Sequence, residues 1–451
     1  MSIAISVFGV LLGFVMLIIL TYKGLHLSWV SIIVALILMI TSGLAIGSTW
    51  DETIGQGIGQ MAGTLIPLFL AGATFGKIVS VSGAADSFAK TVLRVLTGKL
   101  SPANRRLVGG FLVILMGVLM AYAGIDNFAI LFTEIAIAAS IMNEVNIPRR
   151  FIAALIILGT TVGGALPGVP LIINIFAVEF LKDTSAMAAP VLATTGALII
   201  LVLSLYGMSR MWEKDVAKGR KFEFGPLAEA RFNEEDLPPW FFILIPIAPI
   251  FVCYNILNWG PFFSLLVGIG ISVILFYRYM PYDKDSGKSV SVARLNKMSE
   301  QFNGGAEIAG IPAIILINMA LGHLISATPA FGWMVKGLDG VSGFINPYLL
   351  FAMISVFVIG ISASMSGMIV MFNLASTYFI PVLGISTVAA HRLVAFSSFV
   401  FDTLPFGTMV VAILLLTGLK QKEGYPPILY STVGVTFIAL IVVTIMSMIM
   451  Y

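Results

Sequence analysis

The sequence predicts an all-α integral membrane protein, built as two inverted repeats with about ten transmembrane helices plus two re-entrant hairpins. Three observations carry this. Of 451 residues, 59% are hydrophobic and only 10% charged, against roughly 25% charged in an ordinary soluble domain. Apolar runs of spanning length recur along the whole chain, and the basic residues gather in short clusters between them. A mean hydropathy of +1.04 could not be hidden in one soluble core, because surface-to-volume scaling would leave much of it facing water.

A spanning helix takes about 20 mainly apolar residues. Such runs fall at 4–22, 27–46, 61–81, 107–142, 187–208, 239–258, 261–280, 306–327, 343–382 and 427–450. The first run has no basic n-region and no small-residue cleavage site, so it is expected to stay as a span. The runs 107–142 and 343–382 are too long for one straight helix. Each weakens near its middle, at Ala123-Gly124-Ile125-Asp126-Asn127 and at Ser362-Ala363-Ser364-Met365-Ser366-Gly367, so both are expected to be broken spans. Segments 150–181 and 389–419 are interrupted by Gly163-Gly164-Ala165-Leu166-Pro167-Gly168-Val169-Pro170 and by Asp402-Thr403-Leu404-Pro405-Phe406-Gly407-Thr408. Both are expected to be re-entrant hairpins.

The positive-inside rule orients the chain. Connections 82–106, 209–238 and 281–305 are rich in Lys and Arg, whereas 47–60 has Asp51 and Glu52 and neither base. Placing the basic connections inside requires ten crossings, both termini outside and hairpins that do not cross. Arg149 and Arg150 then fall outside, against the rule. The expected division is 1–208 as the first repeat with hairpin 150–181, 209–238 as a cytoplasmic linker, and 239–451 as the second repeat with hairpin 389–419. Phe75-Gly76-Lys77-Ile78-Val79-Ser80 resembles Leu321-Gly322-His323-Leu324-Ile325-Ser326 at the matching place in each half.

Several classes are disfavoured. Cys253 is the only cysteine, and His26, His323 and His391 lie far apart, so no disulfide, metal site or cofactor is expected. No GxxxxGK[ST] loop, HExxH or paired-aspartate motif occurs, so neither an ATP-driven pump nor an intramembrane enzyme is expected. The basic clusters mark loops, not a nucleic-acid surface.

In hydrocarbon, broken helix is tolerated only where it is buried in protein or lines a wet cavity. Four breaks converging near the midplane of an inverted repeat is the architecture of secondary transporters. Their helix N-termini suit a carboxylate, so the expected ligand is a small organic anion. Asp126 and Asn127 sit inside an apolar run, where a charge costs roughly 3 kcal/mol by the lower insertion scales. Asp126 reads either as a proton or substrate site or as a buried structural bond. Glu134, eight residues on, reads equally as a bond to a neighbouring helix. Ser362, Ser364 and Ser366 coordinate substrate or cation, or else permit close packing. Thr160, Thr161, Gly163, Gly164 and Asn174 around the first Gly/Pro segment, with Gly124, stand in the same position. Asp402, beside Thr403, is the sharpest candidate for a proton-linked site, the alternative being a helix cap. His391 and Arg392 are expected to be interfacial anchors.

These residues resemble a known family. Phe75-Gly76-Lys77 followed by Ser82-Gly83-Ala84-Ala85-Asp86-Ser87, then Ile147-Pro148-Arg149-Arg150-Phe151-Ile152-Ala153-Ala154, then His391-Arg392-Leu393-Val394-Ala395, are similar to segments of the gluconate permease family. Asp402-Thr403-Leu404-Pro405 followed by Thr417-Gly418-Leu419 resembles its 3-hydroxybutyrate permease relatives in particular. Phe406-Gly407-Thr408 departs from that branch, which tends to carry His-Asn-Gly there. The resemblance implies the ion-transporter superfamily, homodimers, an elevator mechanism, a cytoplasmic (inner) membrane location, and proton-coupled uptake of a hydroxy monocarboxylate. Asp126 or Asp402 would then bind the coupling proton. A sodium-coupled carboxylate symporter and a sodium/proton antiporter stand as alternatives.

Overall fold

The computed structural model describes residues 3–122, 127–169, 171–225, 237–257, 259–281, 289–308, 312–341, 343–361 and 365–451. Gly124, Asp126, Ser362 and Ser364 lie outside the described residues. Every regular element among those described is helical. The first half holds α1 (Ile3–Tyr22), α2 (Leu27–Ser42), α3 (Ile46–Thr49), α4 (Gln56–Val81), α5 (Ala84–Thr97), α6 (Pro102–Tyr122), α7 (Asn127–Val145), α8 (Ile152–Ala165), α9 (Ile172–Phe180) and α10 (Pro190–Ala217). The second holds α11 (Leu244–Phe251), α12 (Pro261–Phe276), α13 (Val290–Ile308), α14 (Pro312–Ser326), α15 (Pro329–Val341), α16 (Pro347–Ile361), α17 (Met365–Leu374), α18 (Thr387–Asp402), α19 (Thr408–Thr417), α20 (Gln421–Ile428) and α21 (Val435–Met450).

Among the described residues, five helices are long and apolar enough to cross a membrane: Ile3–Tyr22, Pro102–Tyr122, Pro190–Ala217, Phe262–Tyr279 and Gln421–Met450. A sixth candidate is the pair Ile66–Val81 and Ala84–Thr97, bent by 64°. The chain is a multi-pass membrane protein. Outer helices show why lipid is the solvent: Phe8 on α1, Ile274 on α12 and Ile449 on α21 are apolar and exposed. The centre is the reverse, since all fourteen residues of α8 are buried. A helix that is apolar all round belongs in a core.

The packing reverses the expected roles of hairpin and broken span. The run 107–142 is not one interrupted crossing but two antiparallel helices. Arg105 at the start of α6 pairs with Glu144 at the end of α7 at 3.9 Å, and Gly109 packs on Val145. With 21 and 19 residues, these helices are about 31 and 28 Å long at 1.5 Å per residue. They go out and come back to the same end. Run 343–382 does likewise: α16 packs on α17, and the Phe351 ring of α16 lies tilted against Phe379, just past α17, with centroids 4.7 Å apart.

Segments 150–181 and 389–419, expected to turn back, run from one end of the molecule to the other. The start of α8 lies beside the end of α10, Phe151 against Trp212 at 5.9 Å. The end of α9 leads to the start of α10, a helix of 28 residues and so about 42 Å long. The start of α18 is tied to that far end by Arg392, which bonds to the carbonyls of Ala186 and Ala188. The end of α19 returns to the first end, where Arg149 Nη1 donates to the Thr417 carbonyl at 3.3 Å. With 14 and 9 residues in α8 and α9, and 16 and 10 in α18 and α19, no single half matches a 30 Å core, but each pair does.

This arrangement also resolves the anomaly of Arg149 and Arg150. Both sit at the basic end, with Arg150 Nε on Asp215 at 2.5 Å and Arg220 on the same carboxylate at 3.2 Å. Arg106 makes a two-pronged bond to Glu213, 2.6 Å on each oxygen. Helix α10 continues past the expected end at 208 because Trp212, fully buried, and these acids anchor its last turns.

Candidate functional site

Two interruptions meet at the centre, one between the end of α8 at Ala165 and the start of α9 at Ile172, the other at 403–407 between α18 and α19. Non-helical backbone at this depth must find partners inside the protein, and neighbouring side chains supply them. In the first break, Tyr122 donates to the Pro167 carbonyl at 3.0 Å. Asn174 Nδ2 donates to the Val169 carbonyl at 2.7 Å, and the Gly168 amide reaches Ala186 O at 2.8 Å. In the second, Asn318 Nδ2 on α14 donates to Phe406 O at 3.1 Å and Gln421 Nε2 to Pro405 O at 2.9 Å. Gly407 has no room for a side chain, because a Cβ would run into the Asp402 carbonyl oxygen.

The turning points of the two antiparallel pairs close on these breaks. Ala121 and Tyr122, at the end of α6, touch Gly163 and Pro167. Gly360, at the end of α16, packs on Phe401. The breaks approach one another through Gly164 and the Phe399 ring, which a Cβ on Gly164 would meet at 3.3 Å. Helix α19 also packs on α7 and α8.

The sequence candidates are distributed over this centre. Asn127 opens α7, and its Oδ1 is buried without a hydrogen-bond partner among the described residues. Thr160 and Thr161 are buried on α8, each bonding back to the Ile157 carbonyl at 2.8 Å. Thr403 is buried in the second break, its hydroxyl 2.8 Å from that of Thr432. Asp402 is the last residue of α18, not a cap on the returning helix, whose N-cap is Gly407. Ser366 lies on the second residue of α17. Asp126, Gly124, Ser362 and Ser364 lie outside the described residues.

His391 and Arg392 are not interfacial anchors. Both are fully buried and bind the first half of the chain. Asn174 Oδ1 receives Arg392 Nη1 at 3.1 Å and lies 2.9 Å from His391 Nε2. His391 Nδ1 lies 3.0 Å from the Thr184 hydroxyl. Arg392 Nε donates to Ala188 O at 2.7 Å and Nη2 to Ala186 O at 2.6 Å. These three oxygens are neutral, so a formal positive charge sits beside the first break, held by dipoles. Sequence reasoning missed it because the partners lie about 200 residues away. Its signal was an Arg inside an otherwise apolar run, which is a functional-site candidate by default.

No family model matches the chain. It is 26% identical over 439 residues to the uncharacterized transporter YxjC of Bacillus subtilis (strain 168), covering 86% of this chain and 88% of that protein. Among solved structures it is similar to the YdaH transporter of Alcanivorax borkumensis, with a TM-score of 0.40 and 12% identity. That likeness covers 94% of this chain and 98% of that one.

Proposed function

We propose that this protein is a secondary active transporter that carries a small hydroxy monocarboxylate, of the gluconate or 3-hydroxybutyrate type, together with a proton. The observation that carries the reading is the meeting of two interrupted crossings at the centre of an all-helical membrane protein, each with its turning helix pair. Exposed peptide groups there are held by Tyr122, Asn174, Asn318 and Gln421, leaving a preorganised polar patch in an apolar body. The name of the Bacillus subtilis relative supports the transport class. The buried charge of Arg392 supports an anionic cargo, because a carboxylate would supply the counter-charge its neutral partners lack.

The order of elements supports an inverted repeat. Helices α4 to α10 run as a long helix, a helix bent from it by 64°, a returning pair, an interrupted crossing and a closing helix, and after α14 and α15 the chain again runs through a returning pair, an interrupted crossing and a closing helix. On this reading the repeats are 1–208, extended through α10 to Ala217, and 239–451, joined by the 209–238 connection. The returning pairs α6–α7 and α16–α17 take the place of the hairpins expected at 150–181 and 389–419. Asn127, Thr160, Thr161, Asn174 and Thr403, with Gly124, Gly163, Gly164, Ser362, Ser364 and Ser366, are the residues this reading assigns to the cargo site. A carboxyl of this core takes the coupling proton, Asp126 and Asp402 being the two that the sequence singles out. The same reading takes the protein as a gluconate-permease-like homodimer of the cytoplasmic membrane, its core of pairs and crossings moving as an elevator.

The test uses purified protein in liposomes offered labelled gluconate, 3-hydroxybutyrate or lactate under an imposed proton or sodium gradient. Accumulation of one acid under the proton gradient alone is the expected result. Uptake that needs sodium would move the coupling to another ion, and no uptake of any acid would overturn the reading.

A further inference from the structure

The carboxyl with the strongest geometric claim on a proton is neither of those aspartates. Glu134 lies midway along α7, fully buried, and neither of its oxygens has a hydrogen-bond partner among the described residues. It is wedged where α6 and α8 touch. A Cβ on Gly117 would lie 2.9 Å from Glu134 Oε2 and 2.9 Å from the Gly159 Cα, so only glycine allows this approach. The nearby amide of Gly117 is mid-helix, and its hydrogen is already committed to the carbonyl one turn back.

The charged and titratable groups on the elements around α7 are engaged elsewhere or lie towards the basic end. On α4, Lys77 Nζ points at Gly304 of α13. On α5, Asp86 has Ser140, Lys90 and Glu144 around it, and Arg94 follows in the last turn. On α6, Arg105 meets Glu144 and Arg106 meets Glu213, while Tyr122 bonds to Pro167. Helices α8 and α19 contribute no titratable side chain. A carboxylate at Glu134 would therefore face no counter-charge, which is costly in a dry interior. A neutral acid fits.

We propose that Glu134 holds the coupling proton: protonated, it lets α8 stay seated on the α6–α7 pair while the core moves as one body, and a local opening of the Gly117–Gly159 contact at the end of that movement lets water reach the carboxyl and take the proton. This rests on the transport reading above and deepens it. The proton that enters with a monocarboxylate leaves with it on the other side, so the loaded core crosses without net charge. Gly159 adjoins Thr160, which ties the motion of α8 to the cargo site.

Two measurements test this. In liposomes, Glu134→Gln, a neutral near-isostere of the protonated acid, is expected to keep exchange of labelled substrate while losing accumulation driven by a pH gradient. Wild-type accumulation in Glu134→Gln would overturn the proposal while leaving the transport reading intact. Infrared spectra of purified protein supply a readout that needs no transport. A protonated-carboxyl band at neutral pH, absent from Glu134→Gln and lost from the wild type at alkaline pH, is expected even if no cargo is found. Its absence from the wild type would overturn the proposal. Thermal stability separates a structural role, because Gln should preserve the melting temperature at neutral pH if it replaces a neutral acid. A drop in stability with parallel loss of exchange would make Glu134 structural and also overturn the proposal.

Discussion

Replacing Arg392 by Gln tests whether the two halves of the chain are bolted together through one guanidinium. Arg392 makes three hydrogen bonds, to Ala188 O at 2.7 Å, Ala186 O at 2.6 Å and Asn174 Oδ1 at 3.1 Å. Hydrogen bonds from a charged donor contribute roughly 1.5–3 kcal/mol each, so the gross loss is about 4.5–9 kcal/mol. Removing the buried charge also removes its desolvation penalty, several kcal/mol, which offsets much of that. The net expectation is a loss of about 3 kcal/mol, with Arg392→Lys, able to keep the charge and part of the bonding, falling between. Denaturant unfolding in mild detergent reads this directly. Bound cargo should stabilise the wild type, because only the folded state binds it, and should stabilise Arg392→Gln less. A Gln variant within about 0.5 kcal/mol of the wild type, the range of ordinary surface substitutions, would refute the reasoning.

Two further substitutions test the packing of the centre. Gly117→Ala puts a methyl 2.9 Å from the Gly159 backbone and from Glu134, and overpacking of this kind costs about 1–3 kcal/mol. Gly332→Ala on α15, where nothing lies within 4 Å, should be neutral or stabilising by up to about 1 kcal/mol. Comparing their melting temperatures checks the contact. Asn318→Leu strips the Phe406 carbonyl of its donor, with an expected cost of about 1–3 kcal/mol. Hydrogen exchange should rise across 403–411 in that variant, and unchanged protection there would count against Asn318 as the support of the second break.

Much of this architecture was legible in the sequence. The apolar runs located the helices, and Gly163 to Pro170 and Asp402 to Thr408 located both breaks between α8 and α9 and between α18 and α19. What hydropathy could not distinguish was a long run that folds back from one that is broken and continues, since both are apolar with a weak middle. The deciding clue was electrostatic. Arg149 and Arg150 disagreed with the expected topology, and their pairing with Thr417 and Asp215 shows that the assignment of hairpin and crossing, not the rule, had to change. The parity of crossings survives, because two returning pairs and two crossings exchange places. His391 and Arg392 were misread for a different reason. A His-Arg pair at the start of an apolar helix looks the same at an interface or in a core, and only the position of Asn174 and the 184–188 loop decides. Glu134 was visible as a carboxylate, but its isolation depends on the Gly117–Gly159 contact, which no local pattern encodes.

The most direct test of the account is the side from which the ends of the crossings are reached. Single cysteines at Ser101, Lys218, Lys420, Ser185 and Val382, all exposed, would be placed in a Cys253→Ala background and labelled with a membrane-impermeant thiol reagent on sealed vesicles of known orientation. Positions 101, 218 and 420 are expected to react from one face and 185 and 382 from the other. Labelling of 185 from the same face as 218 would mean that α8 and α9 turn back instead of crossing, and would contradict the account.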